Sequence, residues 1–230
     1  MDNNEFKKYA VGHLGVNSMT LHDYQSKSGV GFGPIGMTPY IIEERQMNIT
    51  QMDVFSRLMQ ERIMFLGTGI DDQVANIINA QLLFLESVDS NKEIAIYINS
   101  GGGSIYAGNG IVDVMNFVKP DISTVVTGMA ASMAYVISTS GAKGKRYALK
   151  HARLMQHQPM TGVAPGTQAS DIEITLNEIN TLKKELYEII SENTGQSYEK
   201  IEKDCDRDFW MTAKIAKEYG AIDKVIVGRK

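Results

Sequence analysis

Three side chains and one glycine run carry the chemistry this chain can offer. Ser132 lies in Gly128-Met129-Ala130-Ala131-Ser132-Met133-Ala134, after the β-branched stretch from Ile122 to Thr127 and before the compact apolar stretch from Ala134 to Thr139. The first stretch reads as a buried strand and the second as a helix. A serine at such a strand-to-helix turn, ringed by Gly and Ala, has room beside its hydroxyl for a carbonyl carbon and free N–H groups at the helix start, as a nucleophile requires. The same position suits a plain helix N-cap, a common role for serine, and these seven residues leave both readings open.

A serine nucleophile needs a general base in reach and an acid to orient that base. Of the four histidines, His13 and His22 fall in a glycine-rich, aperiodic N-terminal stretch, where little can fix a side chain, and His151 stands at a strand entrance. His157 lies within Leu154-Met155-Gln156-His157-Gln158-Pro159, and in an extended strand it shares a face with Met155. It is the best base by position, and a structural histidine is the alternative. Acids crowd at Glu202, Asp204, Asp206 and Asp208, and most charges in such a run form a solvated face. Asp208 abuts Phe209-Trp210-Met211, which predicts a carboxylate partly buried and fixed. Gly101-Gly102-Gly103, at a strand end and helix start, offers close backbone approach and free N–H donors for an oxyanion. The loop lacks GxxxxGK[ST], so nucleotide binding is not indicated, and no His/Cys/acid cluster has metal-ligand spacing.

The elements that would position these groups alternate. Ile63–Leu66 reads as a strand ended by Gly67-Thr68-Gly69, and Asp71 caps a helix with Val74, Ile77, Ile78, Leu82 and Leu85 on its apolar face. Ile94–Ile98 is a nearly continuous apolar run, which predicts a strand covered on both faces. A helix from about Ile105 to Val118 is stopped by Pro120, and Ala152 to Gln158 is a further strand. Repeated strand–turn–helix units predict an α/β fold with helices packed on a mostly parallel sheet. The longest helix is predicted from Ser170 to Glu192, opened by a capping box, Ser170-Asp171-Ile172-Glu173. Its stripe of Ile172, Leu176, Ile179, Leu182, Leu186 and Ile189 suits either a partner surface or the domain's own core.

Bulk properties exclude several classes. A chain of 230 residues with 43% hydrophobic and 22% charged residues is an ordinary globular composition, and a net charge of −4 offers no field for nucleic acid. A single cysteine, Cys205, can form no internal disulfide, in keeping with a reducing compartment. No apolar run approaches the roughly 20 residues of a membrane span, and the N-terminus lacks an apolar signal region. A cytoplasmic protein is expected, with a flexible arm or removable propeptide over residues 1–37 and a single domain over 38–230.

Several segments together resemble the proteolytic subunit of the Clp protease, the ClpP family of serine endopeptidases. They are Phe55-Ser56-Arg57-Leu58 with Glu61-Arg62, Tyr97-Ile98-Asn99-Ser100 with Gly102-Gly103, Lys119-Pro120-Asp121, Ala130-Ala131-Ser132-Met133, Gly141 to Arg146, and His157-Gln158-Pro159. Ala169 to Glu173, Thr194 to Ser197, Arg207-Asp208 and Glu218-Tyr219-Gly220 continue the match, which is collinear from about Tyr40 to the C-terminus. The resemblance implies a catalytic triad of Ser132, His157 and Asp208 and an oxyanion hole from the N–H groups of Gly103 and Met133. It implies a crotonase-like fold of ββα units with a protruding handle helix, two stacked seven-membered rings of identical subunits, and unfolded proteins as substrates. It further implies an AAA+ unfoldase of the ClpX or ClpA/ClpC kind that spends the ATP, no cofactor in this chain, and docking of that partner at apolar residues matched here by Tyr97 and Phe117. The sequence departs from the family where Gly101 replaces a usual Pro and Ala134 a frequent Gly, and in a longer N-terminal arm. Two other functions are compatible with such a fold. An acyl-CoA hydratase or isomerase would use an acidic base and has no need of His157, and a non-catalytic ring subunit would scaffold an active paralogue.

Overall fold

A computed structural model describes residues 40–45 and 48–228. The predicted arm over residues 1–37 lies outside them. The described residues fall into two compact units divided between Val54 and Phe55. In the first, β1 (Tyr40–Arg45) and β2 (Asn48–Asp53) form an antiparallel hairpin, registered from Tyr40 opposite Asp53 to Arg45 opposite Asn48.

The second unit is α/β, as the alternating pattern predicts. After α1 (Val54–Gln60), whose first residue closes the first unit, come β3 (Ile63–Leu66), α2 (Asp72–Val88), β4 (Ile94–Ser100), α3 (Ile105–Phe117) and β5 (Ile122–Ala131). Then follow α4 (Met133–Thr139), β6 (Arg146–Leu149), β7 (Arg153–Gln156), α5 (Ala169–Thr194), α6 (Tyr198–Asp204), β8 (Phe209–Thr212), α7 (Ala213–Tyr219) and β9 (Lys224–Ile226). The sheet runs β3-β4-β5-β6-β9, all parallel. The ten-residue β5 is the branch point: Thr124–Val126 pairs with β6, whereas Met129–Ala131 pairs with β7, which in turn takes β8 antiparallel. That branch delivers the C-terminal ends of β5 and β7 to one place.

Asp71 caps α2 as predicted, its carboxylate accepting from the Val74 N–H at 2.8 Å. Ile78, Leu82 and Leu85 enter the core, but Ile77, some 100° round the helix from Ile78, is exposed. On β4 the alternation is clear: Ile94, Ile96 and Ile98 are fully buried, while Ala95 and Tyr97 are half-buried. The expected cover on both faces is therefore found on one only. The other face carries an aromatic row instead, with Tyr97 stacked on Phe65 at 5.4 Å and Phe65 edge-on to Phe55 at 5.3 Å.

Two buried arginines tie loops to this frame. Arg62 donates to the carbonyls of Leu85, Lys92 and Glu93. Arg146 grips Asp223 through Nε and Nη2 (3.0 and 2.7 Å) and reaches the Asn193 carbonyl, joining β6, the turn before β9 and the end of α5.

Helix α5 is longer than predicted, about 39 Å at 1.5 Å per residue. The capping box does not form: Gln168 occupies the N-cap with no side-chain bond, so Ser170 is already helical. The two options for its apolar stripe divide along its length. Leu182, Leu186, Tyr187 and Ile190 are buried in the unit, whereas Ile172, Ile174 and Leu176 near its start are exposed, Ile174 by 67%. Among the described residues no helix is long and apolar enough to cross a membrane.

Candidate active site

The turn at Ser132 is built by strand pairing. Ala131 ends β5 opposite Met155, and the Ser132 N–H donates to the Met155 carbonyl at 2.9 Å, extending the β5–β7 ladder by one bond. The chain then breaks into α4 through an unusual backbone conformation, φ 54° and ψ −127° at Ser132. For a residue with a Cβ this region costs on the order of 1–3 kcal/mol, and it is held only where the surroundings over-determine it. Here they do: the Ser132 carbonyl starts α4 by accepting from Tyr135 and Val136, and every residue of α4 is buried.

Ser132 thus occupies an N-cap position, but its side chain makes no capping bond. Its Oγ lies 2.8 Å from His157 Nε2 instead. Pointing the hydroxyl off the helix axis is what the strained turn accomplishes.

His157 directly follows β7 and its side chain is only 9% exposed. Its neighbours are both fastened. Gln158 donates its N–H to the Cys205 carbonyl (2.7 Å) and its side-chain amide to the Asp206 carbonyl (2.9 Å). Gln156 is buried and donates Nε2 to the Tyr219 hydroxyl.

Asp208 departs from the expectation. Its carboxylate is 61% exposed and stands 3.9 Å from His157 Nδ1, an ion-pair distance rather than a hydrogen bond. The hydrophobic cluster invoked to bury it does not do so, because Trp210 is itself half exposed. Strand register brings the acid here instead. The antiparallel β7–β8 ladder closes with Gln156 opposite Phe209, so its next rung sets His157 opposite Asp208. Of the other acids in the run, Asp204 is engaged elsewhere, accepting from Tyr219 and Lys200.

The glycine loop faces the same turn. Ile70 donates to the Gly102 carbonyl and accepts from the Ser104 N–H, so the Gly103 N–H takes no part in that bridge. Met133, as the first residue of α4, has an N–H with no intrahelical partner. Glycine is required twice. At Gly102 (φ 91°) a Cβ would stand 2.7 Å from Ser132 Cβ and 2.9 Å from Met133 N, and at Gly103 (φ 156°) it would stand 2.1 Å from the Ile70 carbonyl oxygen.

Gly103, Ser132, Met133 and His157 line one cavity of about 90 Å³. Its walls add Ile105, Val136 and Met160 with Leu186, Tyr187 and Ile190 of α5. The sequence pattern does not reveal the contribution of α5: Leu186 is legible as part of an apolar stripe, but nothing in the pattern says that the stripe ends at the serine. Tyr97 and Phe117 are not among the lining residues. Tyr97 lies on the aromatic face of β4, and Phe117 ends α3 with 76% of its surface exposed. Among the described residues no group of three or more His, Cys, Asp or Glu is placed to hold a metal ion.

A strained serine hydroxyl against a nearly buried imidazole, with unpaired N–H groups lining the same cavity, is the working arrangement of a serine hydrolase. The comparisons with known proteins agree. Residues 44–229 match the family model described as Clp protease. The chain is 60% identical over 223 residues to the ATP-dependent Clp protease proteolytic subunit of Bacteroides fragilis strain YCH46, covering 97% of this chain and 98% of that one. It is 58% identical to the protein of that name from Bacteroides thetaiotaomicron (97% and 98% covered) and 56% to that from Porphyromonas gingivalis strain W83 (97% of each). The chain belongs to the Clp protease family. It is a serine peptidase of the α/β fold that the sequence predicts.

Proposed function

We propose that this chain hydrolyses peptide bonds in unfolded polypeptides by means of Ser132, His157 and Asp208. Ser132 Oγ donates its proton to Nε2 of neutral His157 and attacks the substrate carbonyl carbon. The imidazolium so formed returns the proton to the leaving amine, and a water activated by His157 then releases the acyl group. Asp208 accepts from the Nδ1–H side, selecting the tautomer and stabilising the imidazolium. This requires it to close the last ångström from its 3.9 Å position. The N–H groups of Gly103 and Met133 receive the oxyanion, each worth on the order of 100- to 1000-fold in rate.

The observation that carries this reading is the 2.8 Å approach of His157 Nε2 to a serine held off its helix cap. The protein needs no cofactor of its own for such chemistry. The names of its relatives, an ATP-dependent protease and a proteolytic subunit, support an assembly in which an AAA+ unfoldase of the ClpX or ClpA/ClpC kind spends ATP to deliver substrate. The exposed start of α5 suits the contact between two stacked heptameric rings, and Tyr97 and Phe117 suit docking of the unfoldase. A cytoplasmic location fits this role. The test is turnover of a fluorogenic peptide: Ser132→Ala abolishes it while leaving the oligomer intact, and undiminished turnover overturns the assignment.

A further inference from the structure

One buried side chain touches both strands that carry the acid and the base, and the chemistry above does not use it. Tyr219 is the last residue of α7 and is 7% exposed. Its hydroxyl accepts from Gln156 Nε2 at 2.9 Å and donates to Asp204 Oδ2 at 2.7 Å. Its ring packs on Phe209 with centroids 5.6 Å apart, and Lys200 Nζ lies 4.5 Å from the ring centroid. Gln156 precedes His157 and Phe209 follows Asp208, and these two are the last paired rung of the β7–β8 ladder. A single tyrosine therefore holds the residue beside the base and the residue beside the acid.

Its own position is over-determined. The Tyr219 carbonyl accepts from Gln196 Nε2, and Gly220 (φ 89°) brings the end of α7 so near the end of α5 that a Cβ would stand 2.1 Å from the Thr194 carbonyl oxygen. Burial, and then the bond to Asp204, push the phenol above its ordinary range, so it remains an O–H donor throughout the neutral range. Lys200 also donates to Asp204, fixing that carboxylate in place for the tyrosine.

We infer that Tyr219, bridging Gln156 and Asp204 through its hydroxyl and Phe209 through its ring, is a positioning residue that sets the distance between His157 and Asp208. The inference rests on the proposed roles of those two residues. The gap it governs is the one between 3.9 Å and a hydrogen bond, and misplacement by about 1 Å can cost on the order of 100-fold in rate. Tyr219 does not itself line the cavity and its hydrogen bond to a lining residue is to Gln156, so its influence is expected on turnover rather than on substrate binding.

The test is a kinetic cycle on the assembled full-length enzyme with a fluorogenic peptide, comparing Tyr219→Phe, Gln156→Met and the double variant. Tyr219→Phe keeps the ring and removes the hydroxyl, and Gln156→Met keeps the volume and removes the amide. Each single variant is expected to lower kcat by about 10-fold or more with KM held within about twofold, and the double variant to fall no further than the worse single one, because one hydrogen bond joins the pair. Unchanged kcat in both singles, KM rising in step with the loss of kcat, or losses that multiply in the double variant overturn the inference. Should Tyr219→Phe fail to assemble, kcat and KM of Gln156→Met decide alone. Ser132→Ala runs beside them: turnover surviving in that variant faults the active-site reading itself, whereas its loss with full activity in the cycle faults only the role of Tyr219.

Discussion

His157 and Asp208 stand opposite each other on the rung immediately beyond the paired end of the β7–β8 ladder. Side chains directly opposite on an antiparallel rung start from Cβ atoms roughly 5 Å apart, so the pairing of base and acid is inherited from strand register. The rung lies beyond the paired ladder, and its carboxylate is exposed and 3.9 Å from the imidazole. Asp208→Asn keeps the shape and removes the charge that stabilises the imidazolium. It is expected to lower kcat by on the order of 100-fold or more with KM little changed, measured by peptide hydrolysis at neutral pH.

Gly101 and Gly102 are adjacent yet should respond oppositely to a methyl group. A Cβ at Gly101 meets only Met129 Cε, at 3.7 Å, whereas at Gly102 it meets Ala131 O, Ser132 Cβ and Met133 N, all within 2.9 Å. Gly101→Ala should retain peptidase activity within about twofold, and Gly102→Ala, which pushes on the serine turn itself, should lose on the order of 100-fold. Equal activity in the two would show that the loop does not press on the nucleophile.

Acid should loosen the junction of β6, β9 and α5. Burial alone would raise the carboxyl of Asp223, but hydrogen bonds from the Arg146 guanidinium and N–H and the Gly144 N–H outweigh it and hold that carboxyl below its ordinary value of 3.8. A carboxyl lowered in the folded state contributes stability above its unfolded pKa. That contribution is lost as pH falls through the folded value, here from about pH 4 downward. Asp223→Ala strands a nearly buried guanidinium and should cost about 3–5 kcal/mol at neutral pH, with a shallower fall in stability below pH 4 than the parent shows. Urea unfolding across pH 3 to 7 checks both.

The exposed start of α5 gives an association test. Ile174→Ser with Leu176→Ser removes apolar surface that is exposed among the described residues. The far-UV spectrum should be unchanged, while sedimentation velocity should show a shift from the larger to the smaller assembly, by an amount that grows on dilution.

Much of this was legible in the sequence, for reasons that differ by residue. Ser132 and His157 stand out because a strand-to-helix turn ringed by small residues, and a histidine at the end of an apolar extended run, are local patterns. Asp208 stands opposite His157, but not for the reason its neighbours in the sequence suggest. Its proximity to Trp210 does not bury it, and the decisive factor, the register of β7 against β8, joins residues some 50 positions apart that no periodicity links. The apolar run of β4 overstated its cover, because an aromatic row and a core face read alike in composition. The capping box at Ser170 failed because α5 begins at Ala169, one residue ahead of it. The part played by Tyr219 was invisible, since its partners Gln156, Asp204 and Phe209 come from three elements.

The central claim is that His157 activates Ser132. A fluorophosphonate tests it most directly, by the rate of adduct formation on the intact protein and by peptide mapping of the adduct. The account predicts one adduct per chain, on Ser132, formed at least about 100-fold more slowly in His157→Ala. An adduct on another residue, or one formed equally fast without the imidazole, would contradict it.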